Sequence, residues 1–154
     1  MAELKEGDAA PEIELLNESG ERFRLSALRG RKVALYFYPR ANTPGCTTEA
    51  CEFRDAAGEF AGRGATIVGV SPDSPAAQLK FKTGKNLPFT LLADVDREAA
   101  KAYGVWKMKT LYGKTAMGIE RTTFLIGKDG RIERIFRKVK AAGHAAQVLA
   151  AITA

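Results

Sequence analysis

A chain of 154 residues with a formal net charge of +6 and a pI of about 9.4 has the size of one domain, long enough to bury about 68–70% of its unfolded surface without metal or disulfide support. Two cysteines are too few for a disulfide scaffold, and no apolar run approaches the roughly 18 residues of a membrane span. Lysines and arginines are spread along the chain, with one concentration at Arg131, Arg134, Arg137, Lys138 and Lys140; no nucleic-acid motif accompanies them, so a solvated basic surface is expected and no nucleic-acid partner. The start, Met1-Ala2-Glu3-Leu4-Lys5-Glu6, carries no signal peptide. With two closely spaced cysteines, this points to the reducing cytoplasm.

In chain order, Ile13-Glu14-Leu15-Leu16, the turn Asn17-Glu18-Ser19-Gly20 and Glu21-Arg22-Phe23-Arg24-Leu25 read as an N-terminal hairpin, apolar and charged residues alternating in its second strand. Ser26-Ala27-Leu28 forms a single turn. Val33-Ala34-Leu35-Tyr36-Phe37-Tyr38 is a continuous run of β-branched and aromatic residues, the pattern of a strand buried on both faces. Pro39, with no N–H for the ladder, ends it. Thr43 before Pro44 predicts a helix start, the threonine as cap and the proline at the first helical position. Cys51, Phe53, Ala57 and Phe60 then give an apolar face before Gly62 to Gly64 break the helix. Ala65-Thr66-Ile67-Val68-Gly69-Val70 is a second buried strand, joined to the first by a right-handed parallel crossover.

Ser74 caps the next helix with Pro75 at its first position; Leu79 and Phe81 face inward and Gly84 ends it. Thr90-Leu91-Leu92-Ala93 reads as a strand, and Asp96 as the cap of a helix carrying Ala99, Ala100 and Tyr103. From Gly104 to Gly118 periodicity disappears, which predicts a long loop; Trp106 and Met108 there either flank a site or cover the sheet edge. Thr122 to Ile126, the turn Gly127-Lys128-Asp129-Gly130 and Arg131 to Arg137 form a second hairpin. A last helix runs from Gly143 or His144 to Ala151. The order of elements predicts an α/β domain with a mixed central sheet flanked by helices.

Cys46 and Cys51 fall at the junction of the first buried strand with its helix. The thiolate is the nucleophile, yet a cysteine of pKa ~8.5 is only about 3% ionised at neutral pH. Free N–H groups and the dipole at a helix's first turn favour the anion, but the dipole's share of about 0.3–1 kcal/mol is less than one pKa unit. A cation is needed. Arg121 is the candidate, because it directly precedes the strand Thr122 to Ile126 and a strand-initial residue can project over a neighbouring strand's C-terminal end. At ~4 Å and an effective dielectric of ~20 its attraction is about 4 kcal/mol before desolvation. Five residues of regular helix separate Cα atoms by roughly 8.6 Å, more than the about 7 Å a disulfide spans. Bonding Cys46 to Cys51 therefore requires local unwinding, which suits a redox switch better than a structural staple.

Tyr36-Phe37-Tyr38-Pro39 through Thr43-Pro44-Gly45-Cys46, then Glu49-Ala50-Cys51, and Met117-Gly118-Ile119-Glu120-Arg121-Thr122-Thr123-Phe124 resemble the peroxiredoxins, most closely the branch of bacterioferritin comigratory protein, or peroxiredoxin Q. The resemblance covers nearly the whole chain. It implies a thioredoxin-like fold with an N-terminal β-hairpin extension, and a thiol peroxidase acting on hydrogen peroxide and organic hydroperoxides in antioxidant defence. Residue by residue, it implies Cys46 as the peroxidatic cysteine, oxidised to a sulfenic acid, and Cys51 as the resolving cysteine of an intramolecular disulfide. Thr43 would offer its hydroxyl to the peroxide, Pro39 would shield the site from water, Arg121 would polarise peroxide and thiolate, and Glu49 would orient Arg121. It further implies a monomer without metal or organic cofactor, recycled by thioredoxin with glutaredoxin as the alternative, the 104–118 loop flanking the mouth of the site.

Without the resemblance each residue has a plainer reading. A close cysteine pair is structural or incidental as readily as catalytic, Arg121 alone is a surface ion-pair partner, and Glu49 is an acidic residue suited to a helix's opening turns. His144 has no second imidazole beside it, which argues against a metal ligand pair and against a Cys-His hydrolase. A thioredoxin-type oxidoreductase would show Cys-x-x-Cys. A copper-handling protein would need a third ligand.

Overall fold

The computed structural model describes residues 3–152. Met1 and Ala2, which open the stretch in which no signal peptide is predicted, lie outside them. Strands β1 (Glu14–Asn17) and β2 (Arg22–Arg24) form the opening hairpin, followed by a 3-10 turn over Leu25–Leu28. Then come β3 (Lys32–Phe37), α1 (Pro44–Gly62), β4 (Ala65–Ser71), α2 (Pro75–Lys85), β5 (Thr90–Ala93) and α3 (Glu98–Ala102). The chain continues through β6 (Trp106–Leu111), β7 (Lys114–Ile119), β8 (Thr122–Ile126), β9 (Ile132–Phe136) and α4 (His144–Ala151).

Seven strands make one mixed sheet in the order β2-β1-β5-β4-β3-β8-β9. β3 lies inside it, parallel to β4 and antiparallel to β8. That is the place a continuous apolar run demands, since both faces of the strand are covered. Ala34, Tyr36 and Tyr38 point to the layer of α1, α2 and α4, where Tyr36 stacks on Phe53 of α1 at 4.6 Å between ring centroids. Val33, Leu35 and Phe37 point to the opposite layer, with Tyr103 and Val105. The opening hairpin is the expected extension: β1 pairs with β5 and so carries the main sheet two strands further.

Four local expectations are corrected. The predicted loop from Gly104 to Gly118 is the hairpin β6–β7, a separate two-stranded sheet turning at Tyr112 (φ 53°) and Gly113 (φ 76°), both left-handed. This is the backbone of a type I′ turn, which a Tyr-Gly pair does not announce as Asn-Gly would. In α2 the inward residues are Gln78 and Phe81, while Leu79 is 46% exposed. Gln78 tolerates burial because its amide donates to Ser71 Oγ (2.8 Å) and the Leu92 carbonyl (2.7 Å) and accepts from the Tyr38 hydroxyl (2.6 Å). The helix runs past Gly84 to Lys85 and stops at left-handed Asn86 (φ 54°). Asp94, not Asp96, satisfies the start of α3, accepting from the N–H groups of Ala99 (3.0 Å) and Ala100 (2.8 Å).

Candidate active site

The site forms where β3 ends and α1 begins. Pro39 follows the buried Tyr38 and is half-buried. Thr43 holds the extended N-cap conformation before Pro44, as predicted, but its side chain does not cap the helix: the hydroxyl donates to the Arg40 carbonyl at 2.8 Å. The turn is tightened instead of the helix end, and the first N–H groups of α1 carry no side-chain cap. Cys46 lies in that first turn and is 1% exposed.

Arg121 reaches it from the strand register. Phe37 at the end of β3 pairs with Thr122 at the start of β8, which sets Arg121 beside the junction. Its Nη2 donates to Cys46 Sγ at 3.4 Å and its Nη1 to Glu49 Oε1 at 2.6 Å. Gly45 makes room, because a Cβ there would stand 3.2 Å from Nη2. The guanidinium thus bridges the first and second turns of α1, binding a sulfur and a carboxylate one helical turn apart.

Opposing effects act on these charges. Burial raises the Glu49 carboxyl to about 7, although Arg121 pulls it down by attraction and hydrogen bonding. Burial prevails because Glu49 is fully enclosed and its Oε2 has no partner among the described residues. Burial also works against Arg121's charge, but Glu49 and Cys46 outweigh it and hold the guanidinium above its ordinary value. The Tyr36 hydroxyl is buried without a partner among the described residues, and desolvation keeps both Tyr36 and Tyr38 neutral by raising them well above the usual phenol range. These rings form an apolar wall behind the sulfur.

Cys51 lies on the same helix, half-buried, and both cysteines are free thiols. The sequence thus located Cys46, Glu49 and Arg121 as one cluster, with Thr43 and Pro39 on the adjoining turn. It missed the Lys107–Glu120 ion pair (2.6 Å) at the foot of the β6–β7 hairpin, next to Arg121 in the chain. Only the hairpin's register would have revealed it. His144 is buried apart from the cluster: its Nε2 shares a 2.6 Å hydrogen bond with Thr123 Oγ1, and its ring meets Phe53 edge-on. No cluster of three potential metal ligands occurs among the described residues.

Residues 6–135 match the model of the AhpC/TSA family. Among curated proteins, the chain is 52% identical to peroxiredoxin Bcp of Bacillus subtilis over 93% of its length and 91% of the relative's, and 42% identical to peroxiredoxin Bcp of Escherichia coli K12 over 94% and 92%. Among solved structures, a mutant of Xylella fastidiosa PrxQ superposes with a TM-score of 0.92 at 37% identity, covering 98% of this chain and 96% of that one. The Xanthomonas campestris bacterioferritin comigratory protein, solved as trapped-intermediate and ligand complexes bearing on its alkyl peroxide reduction, gives 0.87 at 41% identity over 91% and 89%. The fold is accordingly thioredoxin-like, and the chain belongs to the AhpC/TSA family, in the Bcp/PrxQ branch of the peroxiredoxins, thiol-dependent peroxidases.

Proposed function

We propose that this peroxidase reduces hydrogen peroxide and organic hydroperoxides at Cys46. The Cys46 thiolate attacks the distal peroxide oxygen, an S–O bond forms as the O–O bond breaks, and the departing oxygen takes a proton to leave as water or an alcohol. Cys46 is left as a sulfenic acid. Arg121 and the Cys46 N–H are donors toward the charge that develops along the O–O bond, and the Thr43 hydroxyl joins them by turning from the Arg40 carbonyl, to which it donates in the resting site. Pro39 shields the sulfur from water, and Glu49 holds the guanidinium in place. The observation that supports this reading is a guanidinium 3.4 Å from a buried sulfur in the first turn of a helix.

The first turns of α1 then unwind and the Cys51 sulfur attacks that of Cys46, forming the disulfide and releasing water. Unwinding is needed because intact helix keeps the Cα atoms about 8.6 Å apart. An external dithiol returns both sulfurs to thiols; we assign this to thioredoxin, with glutaredoxin as the alternative, in the cytoplasm, and the enzyme works as a monomer in antioxidant defence. Cys46→Ser abolishes peroxide consumption on this reading, and activity near wild type refutes it. Cys51→Ser permits one oxidation of Cys46 but stops turnover with thioredoxin. Full turnover of that variant would assign resolution to another thiol.

A further inference from the structure

We infer that Lys109 supplies a second positive charge to the active site, acting through space from the β6–β7 hairpin on the Cys46 thiolate and on the oxygen it displaces. The inference rests on Cys46 being the nucleophile. In the hairpin Lys109 pairs with Ala116 and Lys107 with Gly118, so both lysines stand on one face. Lys107 is engaged there, its Nζ 2.6 Å from Glu120 and 3.6 Å from Glu3. Lys109 has no ion pair or hydrogen bond among the described residues.

The path of the Lys109 stem gives its direction. A Cβ on Gly118 would stand 3.1 Å from Lys109 Cδ and 3.6 Å from Cε, so the stem crosses diagonally over β7 where the strand has no side chain. The diagonal runs toward the hairpin's foot, where β7 leads through Glu120 into Arg121. Lys109 is solvent-exposed as a residue, but partial desolvation of its ammonium lowers it below the ordinary lysine value and repulsion from Arg121 lowers it further, while Glu120 and Cys46 act in the opposite sense. The stem thus carries the ammonium from the level of Ala116 toward the end of β7 that leads into Arg121, whose Nη2 lies 3.4 Å from Cys46 Sγ.

The charge balance shows why a second cation matters. Arg121 is the nearest cation to Cys46, but its shorter contact, 2.6 Å, is to Glu49. Once Glu49 ionises, guanidinium and carboxylate cancel, and a thiolate beside them has no net counter-charge. The tyrosines beside the sulfur, Tyr36 and Tyr38, are neutral, and at the hairpin's foot Lys107 is taken up by Glu120 at 2.6 Å, with Glu3 3.6 Å away. Of Lys107 and Lys109, the second is the one without an ion pair among the described residues, and Gly118 is the residue that lets its stem cross toward Arg121.

The test compares Lys109→Met, which keeps a long stem over Gly118 without charge, with Lys109→Arg, which keeps the charge. The single-turnover rate of Cys46 oxidation by hydrogen peroxide is followed across about pH 5–9 at low and at about 0.5 M salt. The methionine variant should react about three- to tenfold more slowly near neutrality, with its pH profile displaced upward and its deficit shrinking in high salt; the arginine variant should stay within about twofold of wild type. A methionine variant that matches wild type at low salt, a deficit that salt leaves unchanged, or an arginine variant as slow as the methionine one overturns the inference. Peroxidase activity surviving in Cys46→Ser would instead remove the reading beneath it, so the two failures are distinct.

Discussion

Replacing Glu49 by glutamine tests the buried electrostatics of the site without reference to turnover. Glu49 is fully buried, accepts from Arg121 through one oxygen and leaves the other unpartnered. Burial holds its carboxyl at about 7 in the folded chain, against an ordinary value of 4.5 in the unfolded one. Between those values the folded chain keeps a proton that the unfolded chain has released, so stability present at low pH is lost as pH rises through the window. At about 1.4 kcal/mol per pH unit the loss amounts to about 3 kcal/mol, and it levels off once both forms are ionised. Urea unfolding of wild type and Glu49→Gln at about pH 4.5 and pH 8 isolates this group, because every other titration is common to both proteins. The stability difference should move by about 3 kcal/mol in the variant's favour at the higher pH. A difference constant within about 0.5 kcal/mol refutes the dominance of burial. Movement in the opposite direction means that Arg121's attraction prevails and the carboxylate stays charged throughout.

Arg121→Met removes both the 3.4 Å contact to Cys46 and the 2.6 Å contact to Glu49; peroxide reduction should fall by about 100-fold or more in kcat/KM, measured by stopped-flow consumption. Gly69→Ala places a Cβ 2.9 Å from both Leu91 Cδ2 and Tyr36 Cζ. That overpacks the apolar wall behind the sulfur and should cost about 1–3 kcal/mol in urea unfolding. Glu52→Ala removes the acceptor of the Gly143 N–H (2.8 Å), which ties the start of α4 to α1 beside Cys51. A loss of about 1 kcal/mol at that tie should speed disulfide formation after one oxidation about fivefold while leaving the oxidation itself unchanged, read by quenched thiol counting.

The parts of the fold that could be read from sequence are those where burial is one-sided or complete. β3, β4 and β8 are covered on both faces and show as unbroken apolar runs. The β6–β7 hairpin could not be read, because it stands off the main sheet with Met108 64% and Tyr112 95% exposed, so no alternation of apolar and polar residues marks its strands. Polar burial defeated the sequence in a second way. Gln78 occupies an inward position that the apolar pattern gave to Leu79, and its three hydrogen bonds depend on strands distant in the chain. The site cluster was readable for a local reason: a proline-marked helix start fixes Cys46 and a strand start fixes Arg121. Lys109 had no such marker, since its direction depends on which residue faces it across the hairpin.

On the proposed chemistry, one guanidinium serves both the step that reacts and the step that unwinds. Arg121 binds Cys46 and Glu49, fastening the first two turns of α1, whereas Phe53 and Phe60 anchor the rest of the helix in the core. Unwinding that brings Cys51 to Cys46 must therefore break the Arg121 contacts but need not disturb the helix beyond Phe53. Oxidation favours this release, because a neutral sulfenic acid replaces the thiolate and a charge-assisted contact becomes an ordinary one. The change is worth about 1 kcal/mol, enough to raise the unwound population about fivefold. The reduced enzyme keeps its nucleophile fastened and the oxidised enzyme loosens it, so hydrogen exchange in Cys51→Ser should find the first-turn amides of α1 more accessible after one oxidation by peroxide than before. Equal accessibility in the two states would separate the guanidinium's hold on the helix from the charge of the sulfur.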